Sequence, residues 1–302
     1  MGIQIATGEL LDQPLGLAIE SEYEDPDAKV SRGGRHYFTT PWRGMTLWGT
    51  TDRVYKGDPD RWRITEDEVA GFIAELNEAV PTLNLTRHGV KHVFGGMRPM
   101  EEANEGAGSQ VSRKAGRVDH ADSRGITNWI SVEGVKYTTC RLTAEQTMGE
   151  VLRKLGRPAG PSPTRSEVLW GGDLSGIDDE YTRAVDLLGE ERQAVALHLV
   201  DTYGSQWEAV AAHAEALAIP LSDDGITLAD VLYAVREEMA VHLTDVVLRR
   251  TELGTLGRPS ARVIDGVVSW MAGELGWDAA RIAQEKEGLE DAFRLEPAPG
   301  RP

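Results

Sequence analysis

The sequence predicts a mixed α+β fold in two parts: a largely antiparallel sheet with helices over residues 1–158, then an all-α domain over 159–302. Three observations predict it. Short runs rich in β-branched and aromatic residues recur through the first half, mostly without the crossover helices that parallel strands need. Apolar residues recur at helical spacing through the second half. Between the halves, Gly156-Arg157-Pro158-Ala159-Gly160-Pro161-Ser162-Pro163 can continue neither a helix nor a central strand, so a domain boundary is expected there.

In chain order, extended segments are expected over residues 29–40 and 45–50, divided by Pro41 and Gly44 into a hairpin-like pair. Thr65 followed by Glu66, Asp67 and Glu68 reads as a capping box. Val69, Phe72, Ile73 and Leu76 then recur at helical spacing until Pro81. Further strands are expected over 90–94, 110–113 and 128–132, before a helix over 138–155. Beyond the linker, four stripes each mark a helix: Ala194-Leu197-His198-Val200, Trp207-Val210-Ala211-Ala214, Leu228-Val231-Leu232-Val235 and Val263-Val267-Val268-Trp270-Met271. Thr227 with Asp230 caps the third of these. The proline-bearing tail 296–302 is expected to fray.

Composition narrows the function. A net charge of −17 repels phosphate backbones and argues against nucleic acid as a partner, so an anionic metabolite would need local positive charge. No apolar stretch approaches the roughly 20 residues that cross a bilayer, and Met1-Gly2-Ile3-Gln4-Ile5-Ala6 lacks the basic-then-apolar layout of a secretory signal. Cys140 is the only cysteine, which rules out an intrachain disulfide and a thiolate zinc cage built from this chain alone. A cytoplasmic setting is expected, with at most peripheral attachment to the inner face of the cell membrane. His88 and His92 have zinc-ligand spacing, but Gly89 spoils the helix and no third ligand is evident, so no metal site is expected.

Gripping a small phosphorylated anion calls for arginine, whose planar guanidinium makes paired hydrogen bonds to phosphate oxygens. Arg98 and Arg113 are the leading candidates. Arg98 follows Gly95-Gly96-Met97, small residues that let a ligand approach the backbone, and precedes the stiffening Pro99. Arg113 ends the extended run Val111-Ser112-Arg113; surface ion pairs of these arginines with Glu101, Glu102 or Asp119 are the alternative. A second cationic spot is Lys136, in Ser131-Val132-Glu133-Gly134-Val135-Lys136-Tyr137-Thr138-Thr139. There a strand breaks at glycine and runs into a helix whose first N–H groups and positive dipole end favour negative charge. The alternative here is a plain threonine cap with a solvated lysine.

Taken together, these motifs resemble the FAD-dependent glycerol-3-phosphate dehydrogenases. Pro41-Trp42-Arg43-Gly44, then Leu47-Trp48-Gly49-Thr50-Thr51-Asp52 and Tyr55-Lys56-Gly57-Asp58-Pro59, are similar to that family's run in order and spacing. Gly95-Gly96-Met97-Arg98-Pro99 resembles its Gly-x-Arg-Pro element, and Ser112-Arg113 its second arginine. Gly134-Val135-Lys136-Tyr137-Thr138-Thr139-x-Arg141 resembles its Lys-x-Thr-Thr-x-Arg turn. Glu238, Asp245 and Leu248-Arg249-Arg250-Thr251 are similar to the signature of its helical C-terminal domain.

The resemblance implies that residues 1–158 are the substrate-binding, flavin-proximal portion and 159–302 the helical C-terminal domain. The implied activity is oxidation of glycerol-3-phosphate to dihydroxyacetone phosphate, with hydride passing to FAD and electrons onward to a quinone or another acceptor. Arg98 and Arg113 would hold the phosphate, and Lys136 would lie beside the substrate oxygens. Gly96, Gly134, Val135, Lys136 and Thr138 would contact the flavin; Asp52 would organise its turn without being catalytic. No Gly-x-Gly-x-x-Gly occurs, so the FAD-binding domain is expected on a missing or separate segment. The family's proton-accepting histidine is expected upstream, since His36, His88, His92 and His120 stand in other contexts. A non-catalytic phosphometabolite-binding or interaction module, or an inactive truncated fragment, is the alternative.

Overall fold

Strand β1 (Gly2–Gly8) buries Ile3, Ile5 and Ala6 and lies inside a five-stranded sheet of order β2-β3-β4-β1-β5. Its companions are β2 (Leu17–Glu20), β3 (His36–Trp42), β4 (Met45–Gly49) and β5 (Val90–Gly96), and every pairing is antiparallel. The computed structural model describes residues 1–10, 15–22, 36–97, 100–101, 110–111, 116–134, 136–255 and 257–297. The chain forms two compact units, residues 1–167 and residues 168–296.

The mixed, largely antiparallel architecture expected from the sequence is the one observed, with differences in detail. Strands β1 and β2 were not expected, and neither were the short strands Met100–Glu101 and Gly116–Asp119. Pro41 does not divide the hairpin: β3 runs through it, with Pro41 opposite Thr46. The register explains why this is tolerated. Among the described residues, β2 pairs with residues 36–39 of β3 and Pro41 has one neighbouring strand, so its missing N–H breaks no ladder there on the other side. The turn itself is made by Arg43 and Gly44, both at positive φ.

Helix α1 (Glu66–Ala79) starts at the expected capping box: the Thr65 hydroxyl accepts from the Glu68 N–H at 3.2 Å, and Glu68 Oε2 accepts from the Thr65 N–H at 2.9 Å. Val69, Phe72, Ile73 and Leu76 are buried, and Phe72 meets Tyr37 of β3 with ring centroids 5.3 Å apart. Two short pairs follow, β6 (Met100–Glu101) with β7 (Gln110–Val111), and β8 (Gly116–Asp119) with β9 (Ile130–Glu133). The turn of helix α2 (His120–Arg124) joins the latter pair and closes on Gly125 at φ 67°. A 3-10 turn (Tyr137–Thr139) then leads into α3 (Cys140–Lys154).

The second unit is largely helical: α4 (Ile177–Leu188), α5 (Gln193–Tyr203), α6 (Trp207–Ala211), α7 (Ala214–Leu217), α8 (Leu228–Arg236), α9 (Leu243–Asp245) running into a π-helical turn (Val246–Arg250), α10 (Ala261–Leu275) and α11 (Ala279–Phe293). Its core gathers Leu199, Trp207, Ile226, Leu228, Val267, Met271 and Leu289, all nearly inaccessible. The stripe expected as one helix from Trp207 to Ala214 is broken, because His213 leaves the helical region at ψ 59° and its N–H turns back to Val210 O. Among the described residues no helix is long and apolar enough to cross a membrane, and no cluster of His, Cys, Asp or Glu could hold a metal ion.

Candidate functional site

Lys136 follows the end of β9 and precedes the 3-10 turn, in extended conformation (φ −122°, ψ 118°). Its carbonyl is turned inward, accepting from the Thr139 N–H at 3.2 Å and the Thr139 hydroxyl at 3.1 Å. Thr138 is exposed within the same turn, and no side chain caps either helical start, so the threonine cap of the alternative reading is not formed. Among the described residues no carboxylate pairs with Lys136.

Two ion pairs fasten α3 to β8, Arg117 Nε to Glu150 Oε1 at 3.2 Å and Lys154 Nζ to Asp119 Oδ2 at 2.7 Å. Held this way, α3 lines an open cavity of about 670 Å3 with Thr143, Ala144, Thr147 and Met148, while Val132, Gly134 and Lys136 form its other side. Tyr137 at the rim is 92% exposed. An apolar hollow with one cation at its edge suits a flat aromatic or part-apolar ligand that carries negative charge.

Gly96 stands elsewhere. It ends β5 and, with Gly95, Met97, Phe94, Thr50 and Gln4, lines a separate pocket of about 350 Å3. Glycine is required at 95 by close approach: a Cβ there would stand 2.6 Å from Trp62 Cη2 and 2.7 Å from Ile64 Cδ1. At Gly96 no atom lies within 4 Å of where a Cβ would be, so this backbone faces free space. Asp52 is half-buried two residues from Thr50. The structure thus brings Gly134 and Lys136 to one cavity and Gly96 to another. Arg98, Arg113 and Val135 lie outside the described residues.

The sequence did not single out the buried polar cluster of the second unit. Asp230 Oδ1 meets His198 Nε2 at 2.7 Å and the Tyr203 hydroxyl at 2.8 Å, while Oδ2 accepts from the Thr227 N–H at 2.8 Å. Burial and the adjacent Asp230 carboxylate push the Tyr203 phenol far above its ordinary pKa. With the His198 and Asp230 side chains each 1% exposed, no substrate reaches them, and the cluster ties α5 to α8.

Residues 162–282 match the C-terminal domain of alpha-glycerophosphate oxidase. The glycerol-3-phosphate dehydrogenase of Synechocystis sp. is 32% identical over 252 residues, covering 80% of this chain and 44% of that protein. The chain belongs to the glycerol-3-phosphate dehydrogenase family. It corresponds to the C-terminal portion, and spans less than half the length of the curated relatives it matches. The aerobic glycerol-3-phosphate dehydrogenase of Escherichia coli is 30% identical over 73% of the chain and 44% of its own length; the mitochondrial enzyme of Mus musculus is 33% identical over 87% and 36%. The fold is shared with the glycerol-3-phosphate dehydrogenase from Bacillus halodurans complexed with FAD, at a TM-score of 0.72, 22% identity, and 97% coverage of this chain against 56% of that one.

Proposed function

We propose that this chain supplies the substrate-side surface of an FAD-dependent glycerol-3-phosphate dehydrogenase, which oxidises the secondary alcohol of glycerol-3-phosphate to dihydroxyacetone phosphate. The observation that carries the reading is Lys136, a cation with no carboxylate partner among the described residues, at the edge of a 670 Å3 apolar cavity in a chain of net charge −17. An ammonium so placed, without a carboxylate partner among the described residues, is suited to an anion.

FAD, when bound, takes up the hydride from the alcohol carbon. The residues present fit its ring end: the apolar walls of the cavity suit the ring's flat faces, and Lys136 suits the negative charge that builds on its pyrimidine side. They do not include a glycine-rich pyrophosphate turn, so the nucleotide end would be held by another portion of the protein. Gly134, Val135 and Thr138 offer backbone to the ring in this reading, Gly96 lines the other pocket, and Arg98 and Arg113 grip the phosphate. Arg98 is next in sequence to Met97 of the 350 Å3 pocket. Beside the substrate hydroxyl, the Lys136 ammonium would stabilise the oxygen as its proton passes to the histidine base expected upstream of the matched motifs. The reaction would need an electron acceptor beyond the flavin, a quinone or another oxidant.

The test is glycerol-3-phosphate-dependent dye reduction by flavin-loaded enzyme that contains this chain. Lys136→Met is expected to lower kcat/KM about 100-fold while leaving flavin content unchanged. Full activity in that variant would remove the central residue from the proposal.

A further inference from the structure

Glu75 lies on the buried face of α1, 7% exposed, among Phe72 and Leu76, where an apolar side chain would pack without the cost of desolvating a carboxylate. Both of its oxygens are engaged. Oε1 accepts from Arg53 Nη2 at 2.9 Å, and Oε2 accepts from the hydroxyl of Tyr37, a fully buried residue of β3.

Arg53 closes the segment 50–53, which has no helix or strand of its own. Strand β1 and the residue before it hold this segment from one side: the Thr51 N–H donates to Ile3 O at 3.1 Å, the Ile3 N–H to Thr51 Oγ1 at 2.9 Å, and the Arg53 N–H to Met1 O at 2.8 Å. The Arg53 guanidinium ties it to α1 on another side. Thr50, at the head of the segment, lines the 350 Å3 pocket with Gly95 and Gly96.

We propose that Glu75 is a positioning residue for that pocket: through Arg53 it fixes segment 50–53, and with it the wall that Thr50 places beside Gly95 and Gly96. The Tyr37 hydroxyl holds the carboxylate so that its other oxygen meets Arg53. The catalytic consequence rests on the proposed glycerol-3-phosphate reaction; the structural one does not.

The test compares amide hydrogen exchange in wild type, Glu75→Gln and the double variant Arg53→Met/Glu75→Leu. The double variant removes the Arg53 and Glu75 charges together, so neither is left facing the site of the other without its partner. Its Thr51 and Arg53 amides are expected to exchange about tenfold faster, while those of Phe72 and Ile73 in α1 keep their protection. Glu75→Gln still offers an amide oxygen to Arg53 and is expected to keep slow exchange. In flavin-loaded enzyme that contains this chain, the double variant is expected to raise KM for glycerol-3-phosphate about tenfold with flavin content unchanged.

Unchanged exchange at Thr51 and Arg53 overturns the proposal whether or not the protein oxidises glycerol-3-phosphate. Equal loss of protection through α1 overturns it too, since Glu75 would then be holding the helix and not the segment. Faster exchange with an unchanged KM overturns the link to the pocket. A wild-type enzyme inert towards glycerol-3-phosphate sinks the proposed reaction instead, and exchange still decides the positioning role.

Discussion

His92 sits in β5 with its ring edge-on to Phe94, centroids 4.3 Å apart, and burial pushes its pKa down from the ordinary 6.5 to about 4. Above pH 6.5 the ring is neutral in folded and unfolded chains alike. Between pH 6.5 and 4 only the unfolded chain takes up the proton, so stability drops as pH falls through this window and the loss levels off below it. At pH 5 the loss comes to about 2 kcal/mol. Urea unfolding at pH 7 and pH 5 checks this against His92→Leu: the variant should lose about 2 kcal/mol less than wild type over the same interval. Equal losses would assign the acid sensitivity to carboxylates. The structure also shows why the His88 and His92 spacing misleads: His88 lies in a 3-10 turn and His92 in a strand, so the four-residue interval does not put them on one helical face. The junction that carries Lys136 was legible because strand, glycine and helix succeed one another in the sequence. Glu75 was not, since a glutamate near the end of an amphipathic helix reads as a solvated position, and its partners Tyr37 and Arg53 are 38 and 22 residues away.

At the scale of elements, helix α1 shows which signals survive without tertiary context. Its capping box and its apolar stripe are both local, and both appear where the sequence places them. Replacing Thr65 with alanine removes the acceptor for the Glu68 N–H, and is expected to cost about 1 kcal/mol in urea unfolding, whereas serine should cost a few tenths. A loss no larger for alanine than for serine would mean that packing through Phe72 and Tyr37 fixes the helix start unaided. Strand β1 is the opposite case. Gly2-Ile3-Gln4-Ile5-Ala6-Thr7-Gly8 has two isoleucines and two glycines, too little pattern to mark a strand locally. It forms because β4 and β5, about 40 and 90 residues on, supply ladders on both sides. Hairpin pairing with Thr46, a local contact, carries β3 through Pro41, which the sequence reads as a break.

Across the whole molecule, the two units differ in what holds them. Among the described residues, the buried core that includes Trp207, Leu228, Val267, Met271 and Leu289 is built from residues between 181 and 293, all inside residues 168–296. The match to the C-terminal domain of alpha-glycerophosphate oxidase falls on much the same stretch, residues 162–282. A fragment of residues 168–296 is therefore expected to fold alone, with a helical circular dichroism spectrum and one cooperative thermal transition. Gly204 offers a local control on that transition. It sits at φ 54°, and a Cβ there would stand 1.9 Å from Gly171 O, the carbonyl that accepts from the Ser205 N–H at 2.9 Å. Gly204→Ala must move the α5–α6 junction and should lower the fragment's stability by roughly 2–4 kcal/mol, with the same downward shift seen in the full chain. A fragment without a cooperative transition, in a chain that has one, would mean that the core of the second unit depends on residues outside it.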